Sequence, residues 1–445
     1  MKKNRDLNEP VLFIDASHNF IKVGKQNVLQ EKDIAKIVDA YSNRTEEEGY
    51  SHLASRKELI SNEFNMNIPR YVTAIDNEIA HDVDAHLYGG IPKENIENLK
   101  ILNQLVPDVL EQAFTEKRPG YLALNKTIDA FSDEVLSSTV VQETMTHVKE
   151  TVEAYLDTYW TQLHELGQER SSRQVKEAML ADIKHQLSAF EQLDSYDGYQ
   201  MIAEIWTNSL EHDSEFIEQL GFYQAGRTRE PNMVKKGKKK EPVQDGWNGV
   251  VVPNSLIASE FYAKELTEIE AFKSRIADIE SEMSELVENA KVEDSDEYNA
   301  LFDSLKKNEE GEAQDSFEGK SIKDSLKEAE KGSLEYDLLK KVDDLTKEKS
   351  AVNKKIKTKE QELKELVADR ILQLTDEEVD QLLYKKWFGS VIEKVEDLVE
   401  SPLKAEVAVI DELNKRYSET LDSLDDEIAK LEKELEAMMK ELVVL

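Results

Sequence analysis

Apolar residues recur at helical spacing through most of the second half of the chain. Three stretches, 269–286, 338–366 and 407–438, alternate three- and four-residue steps between apolar positions, and Asn414 lies in the third seam. Such spacing over several heptads is typical of coiled-coil helices, in which a lone Asn can fix the register. We therefore predict a coiled-coil helical tail over residues 259–445. Residues 290–333 are acidic and contain glycines, so they are predicted to be a mobile connection.

The first seventy-five residues follow a different pattern. Val11–Ile14 is a continuous apolar run of the kind found in strands buried on both faces of a parallel or mixed sheet. Asn27 with Gln30, and Ser55 with Glu58, resemble capping pairs that begin two helices. The first helix is predicted to carry one apolar face, formed by Ile34, Ile37, Val38 and Tyr41.

One strand and two helices cannot bury their apolar faces by themselves. Residues 1–75 are therefore predicted to be the end of a larger α/β domain. Residues 76–224 alternate amphipathic helices with short loops and are predicted to form a helical domain, with Trp160 and Trp206 as core anchors. Residues 225–258 accumulate Gly, Pro and Lys and are predicted to be a basic linker. The predicted fold class is mainly α, with the last part of an α/β sheet at its start.

Composition narrows the classes of function. The 445 residues hold 57 basic and 93 acidic side chains, a net charge of −36, although residues 1–72 balance 11 basic against 11 acidic residues. Such a chain repels bare nucleic acid on average, so any DNA contact must be local or come from a partner. There is no Cys, which excludes disulfides and thiolate zinc sites. No apolar run reaches 18 residues, so no membrane span is predicted and a cytoplasmic location is expected.

One short segment reverses the local charge. Seven cations lie within fourteen residues, and each could contact a phosphate without reading a base. The alternative interpretation is a solvated loop that balances nearby acids. We take as candidate DNA-phosphate contacts these seven together with Arg70, which lies in the predicted loop at 65–71: Arg70, Arg227, Arg229, Lys235, Lys236, Lys238, Lys239 and Lys240.

Motifs for catalysis and cofactor binding are missing from the sequence. Neither a Gly-x-Gly-x-x-Gly loop, nor a Walker loop, nor an Asn-Pro-Pro-aromatic motif occurs. His81, Asp82, Asp84 and His86 are metal-type side chains, but their spacing does not converge on one helical face. They are predicted to form a turn and a helix cap. No catalytic, cofactor-binding or metal-binding residue is therefore predicted in this chain.

The ordered string of motifs in residues 8–72 resembles one known family. It comprises Val-Leu-Phe-Ile-Asp-Ala-Ser at 11–17, Gly-Lys-Gln-Asn-Val-Leu at 24–29, Tyr-Ser-His-Leu-Ala-Ser at 50–55 and Asn-Met-Asn-Ile-Pro-Arg-Tyr at 65–71. This string resembles the modification (M) subunit of type I restriction–modification systems, an S-adenosylmethionine-dependent adenine-N6 DNA methyltransferase. The resemblance implies a Rossmann-like catalytic domain followed by a helical tail.

In that family the cofactor loop and the Asn-Pro-Pro motif lie upstream of the matching block. The resemblance therefore implies that this sequence is the C-terminal portion of an M subunit. No catalytic residue can be carried over, and this chain alone is expected to bind no S-adenosylmethionine and to be inactive. The implied partners are the specificity (S) subunit through the coiled-coil helices, the rest of the M subunit, DNA within the complex, and the restriction (R) subunit as a further candidate.

Two other functions remain open from the residues alone. A structural coiled-coil interaction protein explains residues 260–445 equally well, but not the motif string at 11–71. An acidic DNA mimic is suggested by the net charge of −36. The acids are interleaved with Lys at heptad spacing, however, a pattern more typical of a solvated helix face.

Overall fold

The computed structural model of the protein describes the backbone of residues 9–73, 79–235, 241–308 and 311–443, and their side chains except at 422, 426 and 440–443. The chain folds into two compact units. Unit 1 is Met1–Glu218 together with Trp387–Leu445, and unit 2 is Gln219–Lys386. Most described residues are helical, so the predicted mainly-α class is confirmed. The finer domain boundaries stay a prediction.

The N-terminal block of unit 1 contains the predicted strand. Its elements are β1 (Val11–Ile14), β2 (Ile21–Val23), β3 (Gln26–Val28), α1 (Glu31–Asn43), β4 (Ser51–Ala54) and α2 (Arg56–Ser61), followed by a 3-10 turn at Ile68–Arg70. β1 pairs antiparallel with β4, from Val11 opposite Ala54 to Ile14 opposite Ser51. Among the described residues β1 has no second strand partner. The Rossmann-like sheet therefore stays a prediction.

Of the two predicted helix starts, the first is wrong and the second is confirmed. Asn27 is the wrong start for the first helix, because Asn27 lies in β3 and Gln30 is the N-cap of α1. There the Asp33 carboxylate accepts a hydrogen bond from the Gln30 N–H at 2.8 Å. Ser55 caps α2 as predicted, since its hydroxyl accepts from the Glu58 N–H at 3.3 Å.

The helical middle of the chain lies mostly in unit 1, and its buried Trp206 confirms one predicted core anchor. Trp160 is half-buried and packs against Trp387 and Phe388, with ring centroids 5.8 and 5.9 Å away. The elements are α3 (Val83–Tyr88), β5 (Ile91–Pro92), α4 (Lys93–Glu97), α5 (Lys100–Leu105), α6 (Pro107–Ala113), β6 (Phe114–Arg118), β7 (Tyr121–Leu124), α7 (Ile128–Leu136), α8 (Thr139–His164), α9 (Ser172–Leu187), α10 (Ser195–Ile205), a π turn (Trp206–Leu210) and α11 (Glu211–Leu220).

Unit 2 is built around two long helices. Its elements are α12 (Phe222–Gly226), β8 (Arg229–Val234), β9 (Val243–Gly249), α13 (Asn254–Phe261), α14 (Ala263–Asn289), α15 (Asp296–Leu301), a 3-10 turn (Phe302–Ser304), β10 (Leu305–Lys307), β11 (Ala313–Phe317), α16 (Gly319–Glu328), α17 (Leu334–Leu372) and the first part of α18 (Asp376–Lys394). α14 and α17 run antiparallel, because Glu268 pairs with Lys359 at 3.0 Å and Glu280 with Lys349 at 2.8 Å. The first two heptad stretches are therefore helices, as predicted.

Residues 290–308 and 311–333 form helices and a pair of strands that pack against this helix pair, where the sequence predicted a mobile connection. α15, the β10–β11 hairpin and α16 bury Leu301, Leu305 and Ile322 in one cluster with Leu339 and Val342 of α17. The prediction rested on the acidic and glycine content of this segment and did not take account of its few apolar residues, which anchor it to α17. The predicted linker at 225–258 likewise contains the antiparallel β8–β9 hairpin and the start of α13.

The third heptad stretch is broken into two helices of unit 1, α19 (Asp397–Arg416) and α20 (Leu421–Val443). α19 buries Val407, Ile410 and Leu413, whereas Asn414 is exposed. The helical hydrogen bonding is interrupted at 417–420, where Thr420 and Ser423 cap α20. None of the described helices is long and apolar enough to cross a membrane.

Candidate assembly surfaces

Helix α1 turns its charged face toward the rest of unit 1. Lys32 Nζ lies 2.7 Å from the Asp197 carboxylate on α10. The Tyr196 hydroxyl donates to Asp39 at 2.8 Å, and Lys184 of α9 also pairs with Asp39. Polar contacts therefore fix the orientation of α1 on its helical neighbours.

The opposite face of α1 is apolar and exposed. The side chains of Ile34, Val38 and Tyr41, one helical turn apart, have exposed fractions of 43%, 53% and 73%. In a complete globular domain, an amphipathic helix normally buries its apolar stripe against the core. We call these three residues the α1 face. An exposed apolar stripe of this kind is a candidate docking surface.

Other apolar residues of the N-terminal block are also exposed. β2 and β3 pair with each other and leave Ile21, Val23 and Val28 exposed. The segment after α2 exposes Phe64 and Met66, and the 3-10 turn beyond it ends at the exposed Arg70. The described block thus has a small cluster of Phe13, Ala54, Tyr71 and Val72 and a larger apolar exterior. That residues 1–75 are the end of a larger domain stays a prediction.

A histidine on β4 joins two carboxylates. His52 Nδ1 lies 2.6 Å from Glu46, and Nε2 lies 3.0 Å from Glu58. The hydrogen bond to Glu58, followed by that to Glu46, raises the pKa of His52 although partial burial opposes the shift. Nearby, burial raises the pKa of Tyr50 to about 12, and Lys36 lies 4.4 Å from the centre of its ring.

We predict that His52 titrates above its ordinary pKa of about 6.5. Because the folded pKa is raised, the charged His52 contributes stability that is fully present below about pH 6.5 and is lost as the pH rises through the folded value. Proton NMR of the full chain, with the signal assigned from a His52→Gln variant, measures the midpoint. Glu58→Gln should lower that midpoint. A midpoint at or below 6.5 in the unmodified chain would contradict the prediction.

Helix α20 exposes a second apolar stripe at heptad spacing. The described part carries seven large apolar residues with exposed fractions between 44% and 58%: Leu421, Leu424, Ile428, Leu431, Leu435, Met438 and Met439. We call the first six, which recur in steps of three and four, the α20 seam. A/d seams of this kind pack against a partner helix. Among the described elements α20 contacts mainly the short helix α3.

The basic segment lies at a hairpin. β8 and β9 pair from Arg229 opposite Gly249 to Val234 opposite Val243, so residues 235–242 connect the two strands. Lys235 is exposed. The predicted contacts Lys236, Lys238, Lys239 and Lys240 lie outside the described residues. Their role as phosphate contacts stays a prediction.

The two predicted arginines at the hairpin base make internal contacts. Arg227 pairs with Asp376 and donates to the Leu374 carbonyl at 2.5 Å. Arg229 donates to the Ala368 carbonyl, and its guanidinium lies 4.6 Å from the centre of the Trp247 ring. These contacts tie the hairpin to the corner between α17 and α18. A phosphate would have to compete with these contacts. Of the three described cations in this segment, the exposed Lys235 is therefore better placed than Arg227 and Arg229 to bind a phosphate.

The His81–His86 segment contains the predicted helix cap. The Asp82 carboxylate accepts from the Ala85 N–H at 2.7 Å at the start of α3. His81 Nδ1 and His86 Nε2 lie 2.9 Å apart, and the His86 ring packs against Tyr417. Within the described ranges no group of three His, Cys, Asp or Glu side chains could hold a metal ion.

Comparison with known proteins bears on the N-terminal block. Residues 1–79 match the family model of N-6 DNA methylases. The predicted family resemblance is confirmed for this region. The match includes β1, α1, β4 and α2, so the exposed α1 face lies on the part of the chain that resembles a methylase.

Curated relatives are methylase subunits of type I restriction enzymes. The MpnII methylase subunit of Mycoplasma pneumoniae is 27% identical over 111 residues, which are 25% of this chain and 20% of that protein. Two from Methanocaldococcus jannaschii are MjaVII, 31% identical over 23% of this chain and 17% of the relative, and MjaVIII, 34% identical over 25% and 18%. The aligned segment thus spans about a fifth of each relative. No solved structure matches the chain.

Proposed function

We propose that this chain is the tail-bearing part of the M subunit of a type I restriction–modification DNA methyltransferase, which acts in the cytoplasm. The observation that carries the proposal is the methylase match over residues 1–79, on which α1 turns its charged face inward and its apolar face outward. A fragment of a larger domain has this arrangement, because its apolar faces belong to contacts with the remainder of that domain.

The α1 face and the edge of β1 that no described strand covers are the proposed contacts to the cofactor-binding part of the methyltransferase. That part would supply S-adenosylmethionine, the flipped adenine pocket and methyl transfer to N6. The chain itself supplies a docking surface and binds no S-adenosylmethionine alone. Calorimetry of the isolated chain with S-adenosylmethionine should therefore give no binding heat.

The α20 seam is the proposed contact to the S subunit, which would provide DNA sequence recognition. Its six apolar side chains are exposed along one line, as a helix-in-groove or coiled-coil partner requires. The R subunit is proposed to join the same complex. An acidic DNA mimic fits less well, because acids such as Glu268 and Glu280 are paired with lysines between α14 and α17.

Co-purification of three chains tests the proposal. The full chain is expressed with the S subunit and the cofactor-binding methylase portion from the same cells. Val38→Asp combined with Tyr41→Asp should remove the methylase portion and leave the S subunit bound. Val140→Asp combined with Val292→Asp likewise places two Asp residues at exposed apolar positions, but away from α1, and should retain both partners. Recovery of neither partner by the unmodified chain would refute the proposed function.

The lysines of the β8–β9 connection are predicted to contact DNA phosphates in the complex. Replacing Lys235, Lys236, Lys238, Lys239 and Lys240 by Gln should weaken binding by a similar factor for every DNA sequence. Each lost phosphate contact should reduce the slope of log K against log salt by about 0.9. The measurement is fluorescence anisotropy of labelled DNA at several salt concentrations. An unchanged slope would assign these lysines to solvent.

A further inference from the structure

The residues beside the α20 seam carry charge of one sign. With Leu421, Ile428 and Leu435 at heptad position a, the positions that flank the seam in a two-helix pair are e and g. Four of the flanking residues are acidic and exposed: Asp425, Glu427, Glu432 and Glu434. The fifth described flanking residue is Met439.

The lysines of α20 whose side chains the structure describes lie on the opposite side of the helix. Lys430 and Lys433 occupy positions c and f, and both are exposed. This sorting contrasts with the α14–α17 pair, where lysines such as Lys349 and Lys359 lie at the contact and pair with acids on the facing helix. The α20 flanks therefore lack the internal charge balance seen elsewhere in the described chain.

A second copy of α20 is a poor partner for this seam. In a parallel pair each g residue faces the following e residue of the other helix, so Glu427 would meet a second Glu432. In an antiparallel pair g faces g and e faces e, so Glu434 would meet Glu427 or Glu434 itself. Like charges at these positions destabilise a pair and thereby select against it.

We infer that α20 binds an amphipathic helix with an apolar seam and lysine or arginine flanks, and that its acidic flanks exclude pairing with a second copy of the chain. The inference rests on the proposed function only in taking this helix to belong to another subunit. Apolar contacts supply the affinity and the four acids set the choice of partner. Because the acids are exposed, the selection should weaken as salt screens them.

Two synthetic helical peptides test the inference directly. Both have the same apolar heptads; one has Lys and the other Glu at every e and g position. Binding of each labelled peptide to the full chain is measured by fluorescence anisotropy. Four flanking pairs at about 0.3–0.5 kcal/mol each give a preference of roughly tenfold for the Lys peptide at low salt. In about 1 M salt, where the Debye length is about 3 Å, the preference should largely disappear.

Charge reversal on the protein provides the matched test. Glu427→Lys combined with Glu434→Lys should remove most of the preference for the Lys peptide and bring the affinity of the Glu peptide close to it. Glu419→Lys combined with Glu436→Lys makes the same change in net charge at exposed residues away from the seam, and should leave the preference in place. Sedimentation velocity should detect no self-association of the unmodified chain through α20.

The outcomes separate this inference from the proposed function. Equal binding of the two peptides, or self-association that an Ile428→Asp variant abolishes, would overturn the charge selection while leaving α20 as a docking helix. If neither peptide binds and the chain still recovers the S subunit after Ile428→Asp, the S subunit docks at a site other than α20. The inference then fails, whereas the proposed function stands. A tenfold preference that only the seam-flanking reversal removes would support it.

Discussion

Replacing Ile428 and Leu431 together by Asp is expected to abolish recovery of the S subunit with this chain. Both side chains lie near the middle of the α20 seam and are more than half exposed in the chain itself, so their change should cost the isolated protein little. In a helix pair they become buried, and each is worth about 1.5–3 kcal/mol of transfer free energy. Two buried carboxylates in their place add a desolvation penalty.

The expected loss of affinity is therefore at least about 100-fold, since 1.4 kcal/mol corresponds to a factor of ten. Affinity is measured by titration of the full chain against the purified S subunit. The control is Ala429→Asp combined with Ala437→Asp, which places two carboxylates at exposed outward positions of the same helix. Equal losses for the two pairs would contradict the assignment of the seam. Circular dichroism checks that both variants keep their helix content.

The sequence predicted those helices and strands that are determined by interactions between residues close together in the chain. Val11–Ile14 is a strand because a continuous β-branched and aromatic run has no helical periodicity. Ser55 begins α2 because its hydroxyl can satisfy a free N–H of the first turn. The heptad spacing at 269–286 and 338–366 likewise identified α14 and α17 as helices.

Other features depend on contacts between distant residues, which no local pattern contains. The spacing of Ile34, Val38 and Tyr41 predicted an apolar face, but not that Asp197 and Tyr196 would hold the charged face inward instead. The heptads at 407–438 continued across residues 417–420, where caps and a turn end α19 and begin α20.

The candidate sites show the same division. The sequence identified the basic segment at 227–240. It also identified the family resemblance, and the confirmed methylase match lies over the motif string at 11–71. It could not show that Arg227 and Arg229 would face Asp376 and the Trp247 ring, since these partners are brought together only by folding. The one-sided charge of the α20 flanks was present in the sequence, and it became informative once the seam was found exposed.

The core of unit 1 contains a buried polar contact that the sequence did not reveal. Trp387 is 1% exposed, and its Nε1 donates to Asp213 Oδ2 at 2.7 Å; Asp213 is also 1% exposed. The two residues are 174 positions apart, so the contact connects α11 with the C-terminal segment of the same unit. A buried carboxylate is costly unless hydrogen bonds compensate it, which makes this donor important.

We expect Trp387→Ala to lower the free energy of unfolding by about 3–5 kcal/mol, because it leaves a cavity at a buried site and removes the ring contact with Trp160. Trp387→Phe should keep most of the packing, lose the hydrogen bond to Asp213 and cost about 1–3 kcal/mol.

Urea denaturation of the full chain measures the stability of both variants, with Trp247→Phe as the control at a partly exposed Trp of unit 2. That control should change stability by less than about 0.5–1 kcal/mol. If Trp387→Phe has no larger effect than Trp247→Phe, the Asp213 contact does not stabilise the fold, and burial alone explains the position.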